Sequence, residues 1–236
     1  MQIKIDLFFK GQLVKMSSKT IRNTRKVEDY QSLNDIAHVY VRPDTYVGST
    51  KKIKRDTMIF NIENKKLVNK ELDLPESVIR LFLEIISNAG DNCDSSRRAN
   101  IDPEKFEINV TSEKISIKNY GLHIPVNKIV FDKESSSSTV RDYQEGDKNW
   151  CWLPVFMFGK LRTSSNYDAN VINMGAGRNG FGSKLTNIFS KEFTVTIEDP
   201  KSAKKFVGTW RDNMYKDSPE SQPEVEVTED VTISKG

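Results

Sequence analysis

The run Val78 to Asn92, VIRLFLEIISNAGDN, sets three oxygen-bearing side chains at helical spacing. At 100° per residue, Glu84, Asn88 and Asp91 fall within about 60° of one another, while Val78, Leu81, Phe82, Ile85 and Ala89 share a broad apolar face. A carboxylate, an amide and a second carboxylate therefore stack along one stripe. A solvated polar face would give the same spacing. The stripe borders the apolar face rather than opposing it, however, and Asn88, Gly90 and Asp91 are mediocre helix formers. Such a stripe lines a cleft more naturally than an open surface. In a cleft, Glu84 is equipped to orient and deprotonate a water. Asn88 can offer its amide oxygen to Mg²⁺, which prefers hard oxygen ligands and brings its own waters. Asp91 can hold a partner group or a bridging water.

A second run, Gly175-Ala-Gly-Arg-Asn-Gly-Phe-Gly182, holds four of the chain's 12 glycines. Glycines let the backbone approach a phosphate closely and aim successive N–H groups at it. A helix starting near Ser183 and Lys184 would add its positive end to the same place. Lys184 supplies a point charge and Arg178 a further donor. Two other phosphate motifs nearly match. Gly175-x-Gly177-x-x-Gly180 fits the dinucleotide fingerprint, but no regular β-α unit surrounds it. Gly177-x4-Gly182 approaches a P-loop, but Ser183 stands where the lysine must follow directly.

The elements that must position these groups read as follows. Residues 1–30 are polar with weak periodicity and read as an arm. Val41 to Gly48 is rich in turn residues. Pro75 and Glu76 suit the first turn of the acidic helix. Phe106 to Val110 and Lys114 to Ile117 read as two strands across a short turn. Residues 132–149 are charged and Ser-rich, the composition of a long loop or lid. An aromatic stretch follows (Trp150, Trp152, Phe156, Phe158), then the glycine run and a short helix from Lys184 to Ser190. Phe193 to Ile197 and Lys205 to Trp210 alternate as strands, and Val231 to Ile233 is strand-like. Helices and strands mix without regular β-α alternation, which predicts an α+β sandwich with a mostly antiparallel sheet.

Composition sets outer bounds. The 236 residues suffice for one sizeable core. No apolar run approaches the roughly 20 residues that span a bilayer. The N-terminus, broken by Lys4, Asp6 and Lys10, lacks a signal-peptide pattern. Cys93 and Cys151 have no metal-ligand spacing and read as reduced thiols of an intracellular protein. A net charge of +3 is too small to argue for a nucleic-acid partner. Its distribution is uneven: residues 1–60 carry 12 Lys and Arg against 6 Asp and Glu, whereas residues 212–236 carry 2 against 7. The basic end suits contact with DNA and equally a solvated arm.

Taken in order, these stretches resemble the N-terminal GHKL-type ATPase domain of the eukaryotic-type (type IIA) DNA topoisomerases. His38-Val-Tyr-Val-Arg-Pro-Asp-Thr-Tyr-Val-Gly48 is similar to the family's opening motif, and Glu84-Ile-Ile-Ser-Asn-Ala-Gly-Asp-Asn92 to its acidic helix. Thr163-Ser-Ser-Asn-Tyr-Asp168 and Gly177 to Ser190 are similar to its phosphate-binding elements, and Trp210-Arg-Asp-Asn-Met214 to a later strand end. The resemblance runs from about residue 28 to 216.

The resemblance implies a Bergerat-type two-layer sandwich over residues 31–216, with 1–30 as an arm that exchanges in a homodimer and 217–236 as the start of a connection to a further, transducer domain. It implies ATP and Mg²⁺ as cofactors and, for the whole protein, double-stranded DNA as partner and no membrane. The nucleus would be the compartment in a cellular eukaryote, and a viral factory or virion for a virus. Glu84 would be the general base and Asn88 the Mg²⁺ ligand. Asp91 and Asn92 would contact the nucleotide, and Asn119 would read its adenine end. Ser164, Ser165 and Asn166 would contact ribose and phosphate. Gly177, Arg178, Asn179, Gly180, Phe181, Gly182, Ser183 and Lys184 would wrap the triphosphate, and Tyr30 would reach the neighbouring subunit's nucleotide. A lysine on the further domain would complete the γ-phosphate site, and the chain is expected to stop at Gly236 short of it.

One stretch departs from the family's pattern. Asn119-Tyr-Gly-Leu-His-Ile-Pro125 carries His123 where a glycine is usual and Tyr120 where a small polar residue is usual, so the Cβ at 123 is expected to restrict backbone approach to the base. Such a departure fits a divergent lineage, viral or protist. Two other readings share these residues: a different GHKL machine, such as a chaperone or mismatch-repair protein, and a nucleotide-dependent dimerisation module with little turnover. The stretches at 38–48 and 163–168 argue against the first. Measured phosphate release separates the second.

Overall fold

The computed structural model describes residues 3–8, 32–131, 140–163, 181–214 and 223–232. In chain order the elements are β1 (Ile3–Phe8), α1 (Asp35–Val41), α2 (Asp44–Val47), β2 (Lys52–Asn61), β3 (Lys66–Pro75), α3 (Glu76–Arg98), β4 (Phe106–Val110) and β5 (Lys114–Asn119). They continue with β6 (Lys128–Val130), β7 (Arg141–Asp142), β8 (Trp150–Trp152), α4 (Leu153–Gly159), α5 (Gly182–Ile188), β9 (Glu192–Asp199), β10 (Lys204–Arg211) and β11 (Glu224–Thr228).

Six strands form one sheet in the order β11-β10-β9-β1-β5-β4, every neighbouring pair antiparallel. The expected α+β class with a mostly antiparallel sheet is the class observed. β9 alternates half-buried and buried residues along its whole length, so Phe193, Val195, Ile197 and Asp199 all face inward. β10 answers with Phe206 and Trp210, and the Trp210 ring meets Phe193 edge-on at 5.9 Å. Burying whole aromatic side chains in this way is the largest per-residue contribution to such a core, about 2–3 kcal/mol each.

α3 packs on this layer. Pro75 caps its start without an N–H to lose, Glu76 sits in its first turn, and Arg97 and Arg98 end it, as the helix dipole favours. Ser77, Leu81, Ile85 and Ala89 are buried at intervals of four, which defines the face turned inward. α5 crosses this face: Thr186 Oγ1 donates to the Leu81 carbonyl at 3.2 Å, and Leu185 and Ile188 join the same core as Leu81 and Ile85. β2 and β3 make a separate two-stranded hairpin, and β7-β6-β8 a small third sheet.

Three expectations are revised. Residues 1–30 are not all arm, because Ile3–Phe8 pairs with β5 on one side and β9 on the other, inside the main sheet. The alternation Ile3, Ile5, Leu7 suits a strand, but its partners are more than 100 residues away, so no local signal reveals them. Residues 9–31, Tyr30 included, lie outside the described residues. The last strand is Glu224–Thr228, paired to β10, rather than Val231 to Ile233. Val231 and Thr232 are not strand, and Ile233 is outside the described residues. Part of the expected connection at 217–236 thus belongs to the sheet edge. The turn-rich run at 41–48 contains a short helix, α2, that ends at Gly48 with φ +79.

Candidate nucleotide site on the α3–α5 corner

α3 presents Glu84, Asn88, Asp91 and Asn92 as half-buried residues, next to buried Ile85 and Ala89 and opposite exposed Ile79 and Leu83. The stripe therefore borders the core, as its sequence spacing predicts. From Glu84 to Asn92 the helix rises about 12 Å at 1.5 Å per residue, a span on the scale of a nucleoside triphosphate.

At the Glu84 end, the first residue of α5 closes on the carboxylate. A Cβ built on Gly182 would overlap Glu84 Oε2. The other carboxylate oxygen, Oε1, lies 3.6 Å from Arg80 Nε one turn earlier on α3. Glu84 is thus held between a glycine backbone and a guanidinium, with part of its side chain still open to solvent. Phe181 packs its ring 6.2 Å from that of Tyr46 in α2, and the Tyr46 hydroxyl is 2.9 Å from His38 Nδ1 in α1. Two residues of the 38–48 stretch therefore brace the start of α5.

Lys184 follows on α5. It is 6% exposed, and its Nζ donates to the Thr163 carbonyl at 2.8 Å. Burial pulls its pKa down to about 8. Among the described residues its polar partner is that carbonyl, and an ammonium buried in this way is stabilised by any anion brought beside it. Ser183 is also buried. Ser164, Ser165 and Asn166 begin directly after Thr163, but they and Gly177, Arg178, Asn179 and Gly180 lie outside the described residues.

At the other end of the stripe, sequence reasoning missed a tie. Asn119, 3% exposed at the end of β5, donates from Nδ2 to Asn92 Oδ1 at 2.9 Å. Asn92 in turn donates to the Leu122 carbonyl at 3.0 Å. Ser96 Oγ donates to the Asn92 carbonyl at 2.6 Å and accepts from Leu122 N at 2.7 Å. Gly121 sits at φ +114, and a Cβ there would overlap Ser96 Oγ, so glycine is required at this approach. The contact partners are 26 to 30 residues apart, and only the asparagine-rich ends of both segments hinted at it.

The two departures in this loop take defined places. Tyr120 is buried between Lys118 and Lys105, whose ammonium groups stand 4.8 and 5.4 Å from its ring centroid. His123 directs Nε2 toward Asp199 Oδ1 at 3.6 Å. A separate groove of about 570 Å³ is lined by Asn127, Lys128, Tyr143, Trp152 and Lys204 among others, and it includes no residue of the α3 stripe.

No family model matches the chain. It is 34% identical over 203 residues to DNA topoisomerase 2 of Penicillium chrysogenum, covering 86% of this chain and 12% of that protein. It is 37% identical over 198 residues to DNA topoisomerase 2 of Plasmodium falciparum, covering 83% and 13%. DNA topoisomerase 2 of Invertebrate iridescent virus 6 is 33% identical, with 81% and 16% covered. The chain thus spans less than a fifth of each of these relatives. Among solved structures, the ATPase and transducer domains of DNA topoisomerase II from Balamuthia mandrillaris superpose with a TM-score of 0.71 at 34% identity, covering 87% of this chain and 46% of that one. The ATPase region of Saccharomyces cerevisiae topoisomerase II gives 0.72 at 27% identity, covering 89% and 49%.

Proposed function

We propose, for a chain that belongs to the ATPase region of the type II DNA topoisomerases, that the α3–α5 corner binds ATP and hydrolyses its γ-phosphate. The observation that supports this most is the closure of Gly182 onto Glu84, which brings the end of the glycine run against the acidic stripe. Glu84 accepts a proton from the attacking water and orients it. Lys184 and loop N–H groups take up charge on the phosphoryl oxygens.

Among the described residues no three His, Cys, Asp or Glu side chains cluster as a metal site. A single amide oxygen from Asn88 suits Mg²⁺ nonetheless, since that ion keeps several waters and takes phosphate oxygens as its other ligands. Mg²⁺ would screen the triphosphate charge. Asn119 and Asn92, joined by their hydrogen bond, would hold the base end. For the whole protein, ATP-driven closure of a homodimer would capture one DNA duplex for passage through another, with the arm at Tyr30 reaching the neighbouring subunit. That work would be intracellular. Among the described residues no helix is long and apolar enough to cross a membrane.

The direct test is calorimetric titration of the chain with a non-hydrolysable ATP analogue and Mg²⁺, with light scattering in parallel. One saturable site per chain and analogue-dependent dimers are expected. No saturable binding at millimolar analogue would overturn the reading.

A further inference from the structure

The amide of Asn92 is oriented by a partner that can only accept. Its Nδ2 donates to the Leu122 carbonyl at 3.0 Å, and a carbonyl has no proton to return. The Leu122 peptide is itself held, because its N–H donates at 2.7 Å to Oγ of the buried Ser96. With Nδ2 committed there, Asn92 has Oδ1 left for Asn119, whose Nδ2 donates to it at 2.9 Å. The same Asn119 nitrogen lies 3.5 Å from the Tyr120 carbonyl, a second and longer contact with an acceptor. Both neighbours therefore call for an N–H from Asn119, and its Oδ1 remains as an acceptor. Asn119 is buried, and no hydrogen bond reaches Oδ1 among the described residues. That oxygen is not sealed off, however: among the described residues, the buried side-chain atom shut away from solvent without a partner is Asn187 Oδ1. An unpaired amide oxygen on a buried residue is a costly group, and an N–H donor on a ligand would satisfy it.

The direction of this relay has a chemical consequence at the base end. A purine with an amine at its 6 position offers an N–H to Asn119 Oδ1. A 6-oxo purine would set its own oxygen against that oxygen, and both acceptors would go without a partner. Reversing the Asn119 amide would relieve the conflict with the base but move it inward, leaving Asn119 Oδ1 against Asn92 Oδ1 with no proton between them. We propose that Asn92 is a specificity-determining residue: by fixing which end of the Asn119 amide is offered to the base, it selects 6-amino over 6-oxo purine nucleotides. This rests on the ATP reading above, with Asn119 at the base end.

The test titrates the whole chain and its Asn92→Leu and Asn92→Asp variants by calorimetry with the β,γ-imido analogues of ATP and of GTP, both with Mg²⁺. The parent is expected to bind the adenosine analogue at least about tenfold more tightly than the guanosine analogue. Leucine fills a similar space but accepts nothing, so the Asn119 amide can reverse, and the preference should fall to within about threefold. Aspartate cannot donate to the Leu122 carbonyl but still accepts from Asn119 Nδ2. It should weaken both analogues and keep a preference of about tenfold or more. A purely structural role for Asn92 would lower both affinities together in either variant and leave their ratio alone. Melting curves identify a leucine variant that fails to fold, and Asn92→Ala then takes its place with the same expectation. An undiminished preference in Asn92→Leu, or a preference lost equally in Asn92→Asp, would overturn the inference, as would a parent that binds both analogues alike, and the ATP reading would stand. A parent chain that binds neither analogue would overturn the ATP reading, and this inference with it.

Discussion

Gly182 lies so close against Glu84 that a single added methyl group would occupy the space of the carboxylate oxygen Oε2. The backbone of α5 and the acidic stripe of α3 are therefore matched in shape at the point where the reacting phosphate is expected. Because the atom that would be struck is the end of a flexible side chain, Glu84 can swing aside at a cost of about 1 kcal/mol.

Gly182→Ala is accordingly expected to fold and melt within a few degrees of the parent, yet to lose at least tenfold in ATP hydrolysis, because the carboxylate no longer points where it did. Thermal melting and phosphate release on the same sample check this. Parent-like turnover would mean that Glu84 tolerates displacement and does not orient the water.

The buried Lys184 makes pH a probe. Its pKa in the folded chain is lowered to about 8 from an ordinary 10.5. Between those values the unfolded chain holds a proton that the folded chain has released, so stability rises with pH across that window and the penalty is fully present below it. Binding a polyphosphate favours the charged lysine and opposes the shift. The chain is therefore expected to take up protons on binding an ATP analogue near pH 8.5, and its affinity should fall as pH rises through 8. Calorimetry in buffers of different ionisation enthalpy measures the uptake. The Lys184→Met variant should show a reduced uptake, and an undiminished value would assign the proton to another group.

Asn88 sits one turn beyond Glu84 on the half-buried stripe. Asn88→Ala is expected to leave stability nearly unchanged and to blunt the strengthening of ATP-analogue binding by Mg²⁺, by about tenfold if one oxygen ligand is lost. Analogue titrations with and without Mg²⁺ in both proteins give the comparison. An equal Mg²⁺ effect in the variant would leave Asn88 a polar residue at the rim of the cleft.

What the sequence makes legible follows from the range of the interactions involved. α3 is readable because its period, its proline start and its basic end are all local, β9 because it alternates along its whole length, and β10 because it alternates from Lys205 to Arg211. β1 alternates too, but its polar surroundings and its distant partners in β5 and β9 conceal it. β11 alternates as Glu-Val-Glu-Val-Thr, but its two glutamates mark no buried face, and its pairing with β10 as an edge strand is a tertiary contact. The hairpin of β2 and β3 leaves Met58, Phe60 and Leu67 largely exposed, so no buried face marks it. At the site, Glu84, Asn88 and the glycine run were visible as residue types. The Asn119–Asn92 tie, the Lys184 contact with Thr163 and the seat of His123 on Asp199 are tertiary contacts that spacing does not encode.

Glu84 is the residue on which the proposed reaction depends most directly. Glu84→Gln keeps the shape of the side chain against Gly182 and removes the proton acceptor. The decisive measurement is phosphate release from saturating Mg²⁺–ATP by the parent and the variant, with nucleotide affinity determined on the same preparations. Affinity within a few-fold of the parent and hydrolysis lower by roughly 10²-fold or more are expected. Equal turnover in the two proteins would contradict the assignment of Glu84 as the base, and with it the proposed reaction at the α3–α5 corner.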